Sequence, residues 1–185
     1  GYIRVTTFSK LYLDDVDTFD RQMARLMDAS GLVIDVRGNR GGSSNIADAM
    51  AGRLLDVDDG DAPPPRGEVY EGPVAVLVDS GVYSAANHFV HILRRLDRVT
   101  LVGQTTGGGA GVPDRTVMLL PDVAFLASSR VLDFPGLLEA EHGVRPDIWV
   151  PYSQEALEEG LDAEWGDPLQ DAALLRALNA LGEAR

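Results

Sequence analysis

The stretch Gly31-Leu-Val-Ile-Asp-Val-Arg-Gly-Asn-Arg-Gly-Gly42 decides the fold class, together with its later counterpart Val74-Ala-Val-Leu-Val-Asp-Ser-Gly-Val-Tyr-Ser84-Ala-Ala. Both begin with a short apolar run rich in β-branched residues, which is typical of a strand covered on both faces. Both then enter a turn of small residues, and a helical pattern follows. This order predicts a parallel α/β layer that presents backbone amides and a nucleophile at one edge of the sheet.

The alternation of strand and helix continues on either side of these two stretches. Residues 2–8 alternate apolar and polar like a half-buried strand, and the acidic residues 14–17 offer caps for a helix. Later strands are predicted at 32–36, 74–78, 99–102 and 148–150, with a hairpin formed by 117–120 and 123–127. Helices are predicted after residues 17, 42 and 84 and over 167–181. Three strand–turn–helix cycles with an appended hairpin predict a single α/β layered domain.

Two segments are predicted to be loops. Residues 56–66 hold four aspartates and three consecutive prolines, so we expect an exposed loop inside the domain. Residues 105–111 are too rich in glycine for a helix or a strand, and their backbone can approach another group closely. This glycine loop, with Gly107, Gly108 and Gly109, is either a wall of a substrate cleft or a passive connection.

Composition excludes several classes of protein. The chain has 185 residues and a formal net charge of −13, which repels phosphate backbones and anionic lipids, so we expect no nucleic-acid partner. It has no cysteine and three histidines, which favours neither a disulfide framework nor a metal site. No apolar run approaches the roughly 20 residues that span a bilayer. Because the sequence starts directly in a strand-like run, we expect an upstream portion of the same chain.

Ser84 and the Gly41–Gly42 turn are the candidate site residues. A serine where a strand meets a helix lies beside amides without partners, such as that of Ala85, and beside the positive end of the helix dipole. Consecutive glycines allow further backbone amides to approach a substrate. If the two turns meet, they form an oxyanion hole facing a nucleophile. The simpler interpretations are a helix cap at Ser84 and a tight turn at the glycines.

At this point the chain resembles the tail-specific, or carboxyl-terminal processing, serine peptidases, which include the tricorn core protease. The resemblance covers about residues 1–150, which leaves 151–185 as a C-terminal extension ending in an amphipathic helix. It rests on five segments that occur in order: 1–5, 32–42, 82–89, 101–108 and 143–148. It implies a crotonase-like (ClpP-like) layered β-β-α spiral, a polypeptide substrate and no cofactor. It further implies Ser84 as the nucleophile and Gly41 or Gly42 with Ala85 as the oxyanion hole.

Departures from the family pattern concern the general base. Members with a serine/lysine dyad carry a lysine about 25 residues after the serine, where this sequence has Gly109. The tricorn-like branch instead uses a histidine upstream of this domain and a glutamate after the serine. Glu139 and Glu141 are the candidates for that glutamate, although Ala140 occupies the position that the motif spacing indicates. The family's acidic residue three places after the serine is Asn87 here.

The three histidines of this chain are weaker candidates for the base. His88 and His91 follow Ser84 on the same predicted helix, where side chains point away from the serine, so a surface or packing role is favoured. His142 lies beside the candidate glutamates and is the better outsider. We therefore expect the base to be a histidine from outside these 185 residues, and the isolated 185-residue piece to be nearly inactive.

The sequence thus favours a serine endopeptidase that acts through an acyl-enzyme. The first alternative is a non-catalytic binding or scaffold module, because the same family includes a retinoid carrier and because the lysine is missing. The second is an acyl-CoA enzyme of the crotonase type, against which the acidic charge and the serine's position argue. The sequence leaves open the oligomeric state, a homo-oligomer included. It also leaves open the cellular location of the protein; the resemblance implies that a location outside the cytoplasm is one of the alternatives.

Overall fold

The computed structural model describes residues 1–9, 15–56, 63–109, 115–120, 123–127, 141–152 and 171–183. In chain order, the elements are β1 (Tyr2–Arg4), α1 (Asp15–Leu26), β2 (Leu32–Asp35), α2 (Ser44–Ala51), β3 (Val74–Val78), α3 (Ala85–Leu93), β4 (Val99–Gly103), β5 (Arg115–Leu120), β6 (Val123–Ala127), β7 (Ile148–Trp149) and α4 (Ala172–Glu183). None of the helices in these ranges is long and apolar enough to cross a membrane.

Five strands form one parallel sheet in the order β1-β2-β3-β4-β7. Strands β5 and β6 form a separate antiparallel pair, which confirms the predicted hairpin. Because β2 and β3 are neighbours, the turns that follow them open at the same edge of the sheet. The mixed α/β architecture with a parallel sheet agrees with the prediction.

Alternate residues of the central strands enter two different cores, as the two-residue period of a strand requires. Leu32 and Ile34 of β2 pack with helices α1, α2 and α3 on one face. Val33 of β2 packs on the other face, against α4. Both faces of the sheet are thus covered, which explains why these strands are continuously apolar instead of alternating.

The first strand is shorter than predicted. Its pairing with β2 ends at Arg4, and Val5 donates one further hydrogen bond to the Asp35 carbonyl. The chain then follows the turn after β2, so that Phe8 pairs with Gly42 in an isolated bridge. The alternating pattern therefore continues beyond the regular strand because residues 5–8 lie along a turn.

The described part of the predicted C-terminal helix is α4, which begins at Ala172. The Asp171 side chain caps it by accepting the Leu174 N–H at 3.0 Å, which satisfies one of the free amides of the first turn. The prediction for 167–170 lies outside the described residues, as do most of the proline loop (57–62), residues 110–111 of the glycine loop and Glu139.

Candidate active site

Ser84 stands at the junction between the β3 turn and helix α3 with an unusual backbone. Its φ of 56° and ψ of −126° make it the one non-glycine residue with positive φ in the described ranges. Such a conformation costs about 1–3 kcal/mol and persists only where its surroundings enforce it. Although Ser84 is the N-cap residue of α3, its side chain makes no capping hydrogen bond. The structure therefore argues against a simple helix cap.

Hydrogen bonds on both sides of Ser84 hold this conformation. The Ser84 N–H donates to the Gly108 carbonyl at 2.9 Å, and the Tyr83 N–H donates to the Asn39 carbonyl at 3.0 Å. The Ser84 carbonyl accepts the His88 N–H at 2.9 Å as the first bond of the helix. The serine is thus fixed between the glycine turn, the glycine loop and α3, and its half-buried hydroxyl has no partner among the described residues.

The glycine turn after β2 lies directly against Ser84. A Cβ atom on Gly41 would lie 2.8 Å from the Ala85 nitrogen and 2.9 Å from the Ser84 Cβ. Gly41 and Gly42 have φ values of 94° and 141°, and a Cβ on Gly42 would collide with the Phe8 carbonyl. Both positions therefore require glycine: Gly41 because of its close approach to the serine turn, and Gly42 because of its close approach to the backbone of Phe8.

The backbone amides of Gly41, Gly42 and Ala85, in the glycine turn and the serine turn, differ in their hydrogen-bond partners. The Gly41 N–H donates to the Asn39 Oδ1 at 2.9 Å. The Gly42 and Ala85 N–H groups have no hydrogen-bond partner in the described part of the chain. Ala85 opens helix α3, so the positive end of the helix dipole adds to its donor strength. The structure therefore brings two available donors and a serine hydroxyl together at one sheet edge.

Two carboxylates beneath the site join its parts. The buried Asp79 carboxylate accepts the N–H groups of Gly38 and Gly81, both at 3.0 Å, and so connects the glycine turn to the serine turn. Asp171, which caps α4, makes a bidentate pair with Arg37, with distances of 2.9 Å from Nη1 and 2.6 Å from Nη2. The sequence singled out neither residue, because neither lies in a chemical motif.

Arg37 is clamped between two buried carboxylates. Besides its bonds to Asp171, Arg37 donates hydrogen bonds to the Asp35 carboxylate from Nε at 3.0 Å and from Nη2 at 2.7 Å. Burial lowers the pKa of the Arg37 guanidinium, but the hydrogen bonds to Asp35 and Asp171 outweigh burial and raise that pKa above its ordinary value. Arg37 thus stays charged and anchors the start of the glycine turn.

The glycine loop runs beside the serine turn. The Gly107 N–H donates to the Val82 carbonyl at 2.7 Å, and Gly108 forms a bridge with Tyr83. A Cβ on Gly109 would lie 2.5 Å from the ring of Tyr83, and the Tyr83 side chain is half exposed. The loop is therefore packed against the residue that precedes Ser84.

The segment that carries the candidate glutamates contacts this loop through its backbone. The Gly109 N–H donates to the Glu141 carbonyl at 3.2 Å, while the Glu141 and His142 side chains are exposed. The segment is held from below by Thr106, whose hydroxyl accepts the Val144 N–H and donates to the buried Asn87. Asn87 thus has a structural contact where the family pattern has an acid.

His88 contacts helix α2. Its Nε2 lies 3.1 Å from the Asp48 Oδ1, a contact consistent with the surface or packing role that the sequence favoured. The described residues also contain no cluster of three or more histidine, aspartate or glutamate side chains that could hold a metal ion.

Comparison with known proteins identifies the family of this chain. The family model for peptidase family S41 matches residues 1–150. The chain belongs to peptidase family S41. This is a family of serine peptidases, so the resemblance to tail-specific proteases is confirmed.

Individual S41-like proteins match over most of this chain. The tricorn protease of Thermoplasma volcanium is 28% identical over 180 residues, covering 89% of this chain and 16% of its own length. A solved Parabacteroides merdae structure is 26% identical with a TM-score of 0.62, covering 90% of this chain and 60% of that one. The photosystem II D1 C-terminal processing protease is 23% identical with a TM-score of 0.61, covering 92% and 47%. The chain thus spans less than two thirds of these relatives.

The S41 match ends before helix α4, yet this helix is packed into the fold. Ala173, Ala177 and Leu181 of α4 are buried against the sheet residues Val33 and Leu77. The S41 region and α4 therefore share a hydrophobic core, in addition to the Arg37–Asp171 pair.

Proposed function

We propose that this chain is the core of a serine endopeptidase with a crotonase-like spiral fold, in which Ser84 attacks the carbonyl of a peptide bond. The observation that carries this proposal is the strained Ser84 backbone in contact with Gly41. A strained, uncapped serine at a helix start is costly for stability, and strain of this kind is common at catalytic residues.

The amides of Gly42 and Ala85 would stabilise the negative charge that develops on the carbonyl oxygen. Two backbone donors need no reorganisation during the reaction, and removing one such donor typically costs about 10²–10³ in kcat. Gly42 suits this role better than Gly41, because the Gly41 N–H is already bonded to Asn39. Ser84 would form an acyl-enzyme that water then hydrolyses.

The general base is proposed to be a histidine from another part of the full-length protein. At position 109 a lysine would have to adopt a positive φ of 84° and displace the half-exposed Tyr83 ring, so this loop conformation does not suit a serine/lysine dyad. Glu141, or Glu139, would orient the incoming histidine. In favour of Glu141, its backbone is one hydrogen bond from the loop that binds the Ser84 N–H.

The substrate is proposed to be a polypeptide lying along residues 107–109. These glycines carry no side chain to obstruct an extended peptide, and the half-exposed Tyr83 ring offers an apolar contact.

The test is active-site labelling of the full-length protein with a fluorophosphonate probe. We expect Ser84→Ala to abolish labelling. Ser43→Ala is the matched control, because Ser43 is likewise an N-cap residue without a side-chain capping bond but has an ordinary φ of −86°. It should label at a rate within about threefold of the parent. Unchanged labelling of Ser84→Ala would reject the proposal.

A further inference from the structure

The Asn39 side chain is hydrogen-bonded through both of its polar atoms. It is fully buried; its Nδ2 donates to the Val5 carbonyl at 3.0 Å, and its Oδ1 accepts the Gly41 N–H at 2.9 Å. Its backbone carbonyl accepts the N–H of Tyr83, the residue before the nucleophile. One residue therefore joins the end of the β1 segment, the glycine turn and the serine turn.

The hydrogen bond to Asn39 makes two successive amides of the turn differ in whether their N–H groups have an acceptor. Gly41 is buried and its N–H is occupied by Asn39, whereas Gly42 is exposed and its N–H has no partner in the described residues. Without the Asn39 side chain, the buried Gly41 N–H would lack an acceptor, and the peptide unit could rotate to find one.

We propose that Asn39 is a positioning residue of the oxyanion hole, which binds the Gly41 amide so that the Gly42 amide faces the substrate. The inference rests on the proposed function. The chemistry requires asparagine, because this site needs a donor for the Val5 carbonyl and an acceptor for Gly41 on one short side chain. An ionised aspartate would keep the acceptor but set a charge against the Val5 carbonyl.

The first test compares kinetics of Asn39→Ala and Asn39→Asp in the full-length protein. For Asn39→Ala we expect kcat to fall about 10²-fold while KM changes less than about threefold, since Asn39 is buried and supports only the transition state. Asn179→Ala, an exposed position on α4, is the control and should leave both constants unchanged. A fall in thermal stability with unchanged kcat would overturn the proposal.

Asn39→Asp gives a pH signature that a purely structural role would not produce. A protonated carboxyl group has a donor and an acceptor like the amide, and burial favours this neutral form. The ratio of parent to variant kcat should therefore be about 10²-fold at pH 8 and at least fivefold smaller at pH 5.5. A ratio that does not change with pH would contradict the proposal.

Hydrogen–deuterium exchange at single-residue resolution tests the same idea without a mutation. The Gly41 amide should exchange at least 10²-fold more slowly than the Gly42 amide, and the reverse order would overturn the inference even if Asn39 variants fail to fold. Ser84→Ala keeps the two hypotheses apart. If it leaves labelling unchanged, the proposed function fails. If it abolishes labelling while Asn39→Ala keeps full kcat, only the positioning role fails.

Discussion

Asp171→Ala should lower the free energy of unfolding far more than a substitution that removes a charge from the protein surface. The carboxylate accepts two hydrogen bonds from Arg37, at 2.9 and 2.6 Å, in a pair whose side chains are 2% and 5% exposed. It also caps helix α4 through the Leu174 N–H. Its removal takes two hydrogen bonds away from a buried guanidinium and leaves the helix start without the Asp171 cap.

The magnitude follows from these contacts. A hydrogen bond to a charged group contributes about 1.5–3 kcal/mol, so two give about 3–6 kcal/mol. Removing one partner of a buried ion pair costs about 3–5 kcal/mol in measured cases. The lost cap adds about 1 kcal/mol. We therefore expect the free energy of unfolding to fall by about 4 kcal/mol, a large part of the stability of a domain.

Urea unfolding followed by circular dichroism measures this change. Asp20→Ala is the matched control, because Asp20 binds Arg66 with similar geometry, 2.8 and 2.6 Å, but the two side chains are 27% and 38% exposed. The control should lose about 1 kcal/mol or less. Equal losses in the two variants, or a loss below about 1 kcal/mol for Asp171→Ala, would refute the assignment of Arg37–Asp171 as a buried anchor.

Three further predictions concern the site and its surroundings. Gly41→Ala should lower the fluorophosphonate labelling rate of the full-length protein by about 10²-fold, because its Cβ would crowd Ser84, whereas Gly182→Ala, with nothing within 4 Å, should label normally. Ser84→Gly should be more stable to urea than Ser84→Ala by about 1 kcal/mol, since glycine tolerates the positive φ; equal stability would argue against strain. Partial burial, and next the hydrogen bond to Asp35, raise the pKa of the Tyr2 hydroxyl to about 12. Because this pKa is higher in the folded state than in the unfolded state, the protonated Tyr2 hydroxyl contributes fully to folding stability below pH 10, and this contribution is lost as the pH rises toward 12. Between pH 9 and pH 11.5, the free energy of unfolding should fall less for Tyr2→Phe than for the parent protein.

The fold was predictable from the sequence where local pattern and burial agree. The run Val74–Val78 is apolar on both faces, and β3 has the predicted limits. Tyr2–Phe8 shows the limit of this reasoning. Alternation reports which side chains are buried, not which backbone is paired, so a segment that lies along a turn has the same pattern as a strand.

The candidate site was predictable only in part. The glycine pair was identified because turns with positive φ favour glycine, and Ser84 because it stands where a strand pattern gives way to a helical one. Asn39, Asp79 and Asp171 left no comparable mark. Their roles depend on partners that are distant in the chain; Arg37 and Asp171, for example, are 134 positions apart.

Sequence alone thus specified the parallel α/β layers, the serine and the small-residue turns, because each depends on local backbone preference and hydrophobic period. Tertiary structure decided that the two turns meet, which amides remain available beside Ser84, and that α4 is anchored to the glycine turn. Contacts of this kind arise from the parallel neighbours β2 and β3 and from packing across the sheet. Residues far apart in the chain are joined there by distance and geometry, which a one-dimensional pattern does not contain.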